Sequence, residues 1–161
     1  PDVIAGQGTT GLEIIDELPE ADAILVPTGG GGLLAGVAIA LSHRNPSTRV
    51  IGVEPADANA MALSVAAREL VSLQEVPGTI ADGLKPMAPG KLTLEATLEH
   101  VDQVLLVDDD SILQAQRLLL ERAKLLVEPS GAAGVAALLG CDELAGLRVV
   151  VILTGGNTDL P

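Results

Sequence analysis

Four consecutive glycines, Gly29 to Gly32, form the stretch of this sequence best suited to binding a ligand. They follow the apolar run Ala23–Val26, which is typical of a buried strand, and they precede an apolar run of helical character that begins at Leu33. Because glycine has no Cβ atom, such a loop can turn several backbone N–H groups toward one anion, and the start of a helix adds a partial positive charge. The stretch therefore predicts a loop that holds a phosphate group.

A second glycine loop, Thr154–Asn157, follows another apolar run near the end of the chain. In parallel sheets, ligands bind beyond the carboxyl ends of the strands. Both glycine loops are expected at such ends, so we expect them to face one site.

Apolar strands that alternate with helices must carry these loops. This alternation predicts an α/β fold with three layers: a mainly parallel, twisted sheet with helices on both faces. The length favours a single domain over residues 1–161. The expected strands are Ala23–Val26, Arg49–Pro55, Gln103–Val107 and Leu147–Leu153.

Turn residues, capping residues and apolar periodicity predict further elements outside these four strands. Gly6–Gly8 is expected to be a turn that precedes a helix over Leu12–Leu18, and Ser72–Gln74 is expected to be a short strand. Ser111 has capping-box spacing to Gln114, which predicts a helix that begins there and runs to about Val127.

Composition excludes several classes of partner. The chain has 22 acidic and 9 basic residues and a net charge of −13, which repels nucleic acids and anionic membranes. A bound anion must then be held by backbone N–H groups. No Phe, Tyr or Trp is present to stack on a flat ring. The single cysteine, Cys141, and the lack of an apolar run of about 18 residues indicate a cytoplasmic protein with no membrane span.

The pattern of the glycine loop alone also fits a dinucleotide. Gly30–Ala35 satisfies G-x-G-x-x-A, and Glu54 ends the next strand about 20 residues later, where a ribose-binding acid is expected. A nicotinamide-binding domain and a non-catalytic module that holds a phosphate ligand are therefore alternatives.

Six motifs occur in order along the chain: Val3–Thr9, Val26–Leu33, Val53–Pro55, Ile80–Gly83, Lys124–Gly131 and Thr154–Asn157. Together they resemble the threonine dehydratase and serine racemase family of fold type II pyridoxal-phosphate enzymes. The resemblance spans essentially the whole chain, and it distinguishes these interpretations.

The resemblance implies roles at the two glycine loops. Gly29, Gly30, Gly31 and Gly32, with the N–H of Leu33, match the loop that holds the phosphate of pyridoxal 5′-phosphate. Thr154 matches the hydroxyl residue that hydrogen-bonds to the pyridine nitrogen. A neutral hydroxyl makes the ring a weaker electron sink than a carboxylate would, which favours β-elimination.

The resemblance implies two further sites, both used only by some family members. Glu54 and the backbone carbonyl of Ala58 match ligands of Mg²⁺ or Ca²⁺, and such hard cations prefer oxygen ligands. Ala60 stands where those members carry a second carboxylate. Asn157 matches a position that contacts a nucleotide effector.

One motif of the family is missing from these residues. The Schiff-base lysine of the family lies in a Ser-x-Lys-x-Arg-Gly-Ala stretch, and Lys85, Lys91 and Lys124 do not match it. The chain thus resembles the C-terminal part of the large domain. This implies a lyase or racemase for serine or threonine, or a fragment of one, that alone is inactive and needs a lysine-bearing segment. We also expect uncovered apolar surface, and hence a homo-oligomer such as a homodimer.

Overall fold

The computed structural model describes residues 1–158, and its centre is a parallel sheet of four strands. β1 (Ala23–Pro27) lies between β2 (Arg49–Pro55) and β4 (Val149–Val151), and β3 (Gln103–Val107) pairs with β2. The order is β3-β2-β1-β4. The predicted parallel sheet is confirmed, and the carboxyl ends of β1 and β4 lie side by side.

Helices cover both faces of this sheet, so the three-layer α/β architecture is also confirmed. Successive strand residues point to opposite faces. Ala23 and Leu25 pack in the core beneath the last two helices, whereas Ile24 and Val26 pack against the second helix. The helices are α1 (Asp2–Glu17), α2 (Gly32–Arg44), α3 (Ala60–Ala67), α4 (Lys91–His100), α5 (Asp109–Leu118) and α6 (Pro129–Gly140).

The first helix corrects the expected turn at Gly6–Gly8, because α1 is continuous through these residues. Gly8 of α1 and Gly36 of α2 allow the two helix backbones to lie directly against each other. A Cβ atom on Gly36 would lie 2.5 Å from the carbonyl oxygen of Ile4 and 2.6 Å from the nitrogen of Gly8. The low helix propensity of glycine is therefore overridden by packing that only glycine permits.

The start of α5 corrects the predicted cap. Asp108, not Ser111, is the N-cap residue, and its carboxylate accepts a 2.7 Å hydrogen bond from the N–H of Ser111. This hydrogen bond lowers the pKa of Asp108. The helix ends at Leu118, nine residues before the predicted end at Val127, and a π-helical turn over Leu119–Ala123 follows it.

Two strand predictions are also corrected. Ser72–Gln74 is irregular and makes no strand; the N–H of Leu73 there donates to the carbonyl oxygen of Met87 at 2.7 Å. The last strand is only Val149–Val151, although the N–H of Ile152 still donates to Leu25 at 3.1 Å. Within residues 1–158, no helix is long and apolar enough to cross a membrane.

The contact between α1 and α2 gives a stability prediction. We expect Gly36→Ala to lower the free energy of unfolding by about 1–3 kcal/mol, because the new methyl group meets rigid backbone of α1. The measurement is urea unfolding followed by circular dichroism.

The matched control is Gly6→Ala, since a Cβ atom there has nothing within 4 Å. Replacing a helix-interior glycine by alanine in open space is expected to stabilise the protein by about 0.5–1 kcal/mol. Equal effects of the two substitutions would contradict the proposed backbone contact.

Candidate functional site

The glycine loop leaves the sheet at the carboxyl end of β1. The side chain of Thr28 is buried and donates to the carbonyl oxygen of Val26 at 2.8 Å, while its backbone N–H donates to Val53 of the neighbouring strand at 2.8 Å. These bonds fix the first residue of the loop. The three glycines that follow connect it to α2, which begins at Gly32.

Gly31 has the conformation that makes glycine necessary in this loop. Its φ angle is +85°, in the left-handed region, and a Cβ atom there would overlap the terminal methyl group of Met61. Within residues 1–158, none of the five backbone N–H groups from Gly29 to Leu33 donates to a protein acceptor. The loop therefore presents several free backbone N–H donors to an anion at the start of a helix.

The second glycine loop is held against the start of α6. The N–H of Glu128 donates to the carbonyl oxygen of Gly155 at 3.3 Å, and the carboxylate of Glu128 accepts from the N–H of Asn157 at 3.1 Å. The carbonyl oxygen of Thr154 lies so close to Gly131 that a Cβ atom there would overlap it. Thr154 is half-buried and sits just beyond β4.

A short turn, Asp82–Leu84, connects the two loops. A Cβ atom on Gly29 would lie 3.2 Å from the carbonyl oxygen of Gly83, so these backbones are in contact. On its other side, the N–H of Gly83 donates to the hydroxyl of Ser130 at 2.8 Å. The structure thus brings the loops of Gly29 and Thr154 to the same edge of the sheet.

Gly83 and Ser130 were not predicted as site residues from the sequence. The signal was present, because both lie in motifs that carry the family resemblance. The motifs alone do not show that one residue hydrogen-bonds to the other.

Glu54 is the second-last residue of β2, and its side chain lies inside the protein, only 1% exposed. Its two oxygens accept from the N–H groups of Met61 and Ala62, at 2.9 and 2.8 Å, at the start of α3. Burial raises the pKa of Glu54 to about 7, although these two hydrogen bonds act to lower it. The carboxylate serves α3 and is not presented to a ribose, which removes the support for a dinucleotide.

The described residues supply few ligands for a metal ion here. Ala60 has no side-chain oxygen, and no group of three or more acidic, histidine or cysteine side chains within residues 1–158 is placed to hold a metal. A site for Mg²⁺ or Ca²⁺ at Glu54 and Ala58 stays a prediction. The effector role of Asn157, which is exposed, also stays a prediction.

Comparison with known proteins gives a family match over nearly the whole chain. The sequence model of the family described as "Pyridoxal-phosphate dependent enzyme" matches residues 1–155. The chain is 41% identical to an L-threonine ammonia-lyase of Thermotoga maritima, over 99% of this chain and 40% of that protein. It is 44% identical to the catabolic L-threonine dehydratase TdcB of Escherichia coli K12, over 99% and 49%.

Solved structures agree with these matches. The crystal structure of a T.th. threonine deaminase superposes with a TM-score of 0.94 at 40% identity, covering 98% of this chain and 59% of that one. Maize serine racemase gives a TM-score of 0.92 at 43% identity, covering 98% and 49%. The chain therefore spans about half the length of the curated relatives it matches.

The buried carboxyl of Glu54 gives a pH prediction. Below pH 4.5 both the folded and the unfolded chain carry the proton; between pH 4.5 and about 7 only the folded chain keeps it. The contribution of Glu54 to the free energy of unfolding therefore falls as the pH rises from 4.5 to about 7. We expect the difference in unfolding free energy between the natural chain and Glu54→Gln to fall by about 2–3 kcal/mol from pH 4.5 to 7.5.

Urea unfolding at a series of pH values measures this difference, because the glutamine variant has no titrating proton at this position. Glu13→Gln is the matched control for the change in net charge, since Glu13 is exposed. A difference that stays constant between pH 4.5 and 7.5 would show that Glu54 does not titrate in this range.

Proposed function

The chain belongs to the family of pyridoxal-phosphate dependent enzymes, and we propose that Gly29–Gly32 and the N–H of Leu33 hold the phosphate of pyridoxal 5′-phosphate. One observation carries the proposal: within residues 1–158 the five N–H groups of this segment have no protein acceptor, at the start of a helix. Such an arrangement binds a phosphate without basic side chains. It suits a chain whose net charge is −13.

We propose that the hydroxyl of Thr154 hydrogen-bonds to the pyridine nitrogen. The parallel pairing of β1 with β4 supports this role, since it places the two loops at one edge of the sheet. Glu128 and Gly131 hold the Thr154 loop against α6. When bound, pyridoxal phosphate supplies a ring that withdraws electrons from the amino-acid substrate. A neutral hydroxyl at the ring nitrogen leaves that withdrawal weaker than a carboxylate would.

The proposed activity of the whole protein is that of an ammonia-lyase (dehydratase) or a racemase acting on serine or threonine. The names of the relatives support this reaction class. These 161 residues contain no Ser-x-Lys-x-Arg-Gly-Ala motif. We propose that they hold the cofactor and that the Schiff-base lysine comes from a partner segment, so the chain alone is inactive. A cytoplasmic location is part of the same proposal.

The binding proposal is tested by titrating the full chain with pyridoxal 5′-phosphate, pyridoxal and NAD. We expect the phosphate-bearing cofactor to bind about tenfold or more tightly than pyridoxal, because hydrogen bonds to a charged group are strong. We also expect Gly31→Ala to weaken its binding by a similar factor, since the left-handed backbone and Met61 exclude a side chain there.

Gly78→Ala is the matched control, because a Cβ atom at Gly78 has nothing within 4 Å. Tighter binding of NAD than of pyridoxal phosphate would favour the dinucleotide interpretation and overturn the proposal. If the cofactor binds but no activity appears even with a lysine-bearing segment, the chain is a non-catalytic phosphate-ligand module.

Exposed apolar side chains give a prediction about assembly. Val3 is 67% exposed on α1, and Leu125 and Leu126, which follow the π-helical turn, are 46% and 48% exposed. Exposed apolar surface favours association. We therefore expect the chain to form dimers or larger homo-oligomers in solution, or to bind a partner segment. Light scattering that shows a monodisperse monomer across the micromolar range would contradict self-association.

A further inference from the structure

Thr93 joins the glycine loop to α4. It is the third residue of that helix, its side chain is 9% exposed, and its hydroxyl oxygen lies 2.7 Å from the carbonyl oxygen of Gly30. The same hydroxyl lies 2.9 Å from the carbonyl oxygen of Gly90, which precedes the helix. Thr93 and Gly30 are 63 residues apart in the sequence. Thr93 is therefore a tertiary support for the loop.

The hydroxyl has one hydrogen to donate, and the surroundings favour Gly30 as its acceptor. The carbonyl oxygen of Gly90 already accepts from the N–H of Leu94 at 2.9 Å. Among residues 1–158, the carbonyl oxygen of Gly30 otherwise accepts only a 3.3 Å hydrogen bond from the N–H of Gly90. The shorter hydroxyl contact is thus the main constraint on the carbonyl of Gly30.

That constraint also orients the N–H of Gly31. The carbonyl of Gly30 and the N–H of Gly31 belong to one planar trans peptide unit, so they point in opposite directions. Glycine backbone is conformationally free, and nothing in a run of four glycines fixes the plane of this unit from within. A carbonyl held by Thr93 therefore turns the N–H of Gly31 away from α4, and polarises it as a donor.

We propose that Thr93 is a positioning residue for anion binding, which aims the N–H of Gly31 into the phosphate site by holding the carbonyl of Gly30. The ligand in this inference, pyridoxal 5′-phosphate, rests on the proposed function above. The orientation of the Gly30–Gly31 peptide unit does not rest on the proposed function, because it is a property of the protein without ligand.

The variants that test this inference are Thr93→Val, which removes the hydroxyl and keeps the shape, and Thr93→Ser, which keeps the hydroxyl. Thr97→Val is the matched control. Thr97 lies one turn further along α4, is 2% exposed, and donates its hydroxyl to the carbonyl oxygen of Thr93 at 2.8 Å, within its own helix. Thr93→Ala replaces the valine variant if that variant does not fold.

The first measurement is the ¹⁵N–¹H spectrum of each variant of the 161-residue chain without ligand. We expect the Gly31 amide resonance to shift in Thr93→Val, because its peptide unit loses the hydrogen bond on the carbonyl. The serine variant restores the resonance and Thr97→Val leaves it unchanged. An unshifted Gly31 resonance in Thr93→Val would overturn the inference, whatever the ligand of the site.

The second measurement compares pyridoxal 5′-phosphate with pyridoxal. We expect Thr93→Val to weaken binding of the phosphate ester about tenfold and to leave binding of pyridoxal unchanged, with Thr93→Ser within about threefold of the natural chain. Equal weakening for both ligands would show a general structural role and overturn the inference. Failure of the natural chain to bind the phosphate ester would instead refute the proposed function, and the spectra would still decide the role of Thr93.

Discussion

Binding an anion to a chain with a net charge of −13 depends on the orientation of backbone N–H groups. Such groups are useful only if the peptide units that carry them are held in one orientation, and a run of glycines does not hold itself. The constraint therefore falls on the residues around the loop. Met61 lies against Gly31, Thr93 bonds to the carbonyl of Gly30, and Pro86 packs on Gly29.

Each of these supports comes from a different element, which explains why several distant segments are arranged around one short loop. Met61 is placed by α3, and α3 begins where the two oxygens of Glu54 accept N–H groups. To make these two hydrogen bonds, the carboxyl group of Glu54 lies inside the protein, and burial raises its pKa to about 7. The sequence motifs suggest that Glu54 is a metal or ribose ligand. In the structure its side chain instead supports the start of α3, which carries Met61 against the loop.

The sequence predicted the parts of the fold that depend on local pattern. Strands such as Ala23–Pro27 are apolar at every position because both sheet faces are covered, and this pattern is visible without coordinates. Prediction failed where glycine has more than one use. Gly31 permits a left-handed turn, whereas Gly8 and Gly36 permit two helices to touch, and only the partner helix distinguishes the second use from the first. The roles of Gly83 and Ser130 depend on a contact across 47 residues, which no local pattern encodes.

The two ends of the proposed cofactor place different demands on the protein, and this difference underlies the proposed division of roles between segments. A phosphate needs a set of oriented N–H groups, and these are determined by the sheet edge, by α2 and by the supports described above, all of which lie within residues 1–158. Reaction at an amino-acid substrate needs a nucleophilic lysine placed within bonding distance of the cofactor, which is a demand on one side chain at one point. Backbone binding and side-chain chemistry are therefore separable in physical terms. In the proposed arrangement, this chain meets the first demand through Gly31 and Thr154, and another segment meets the second.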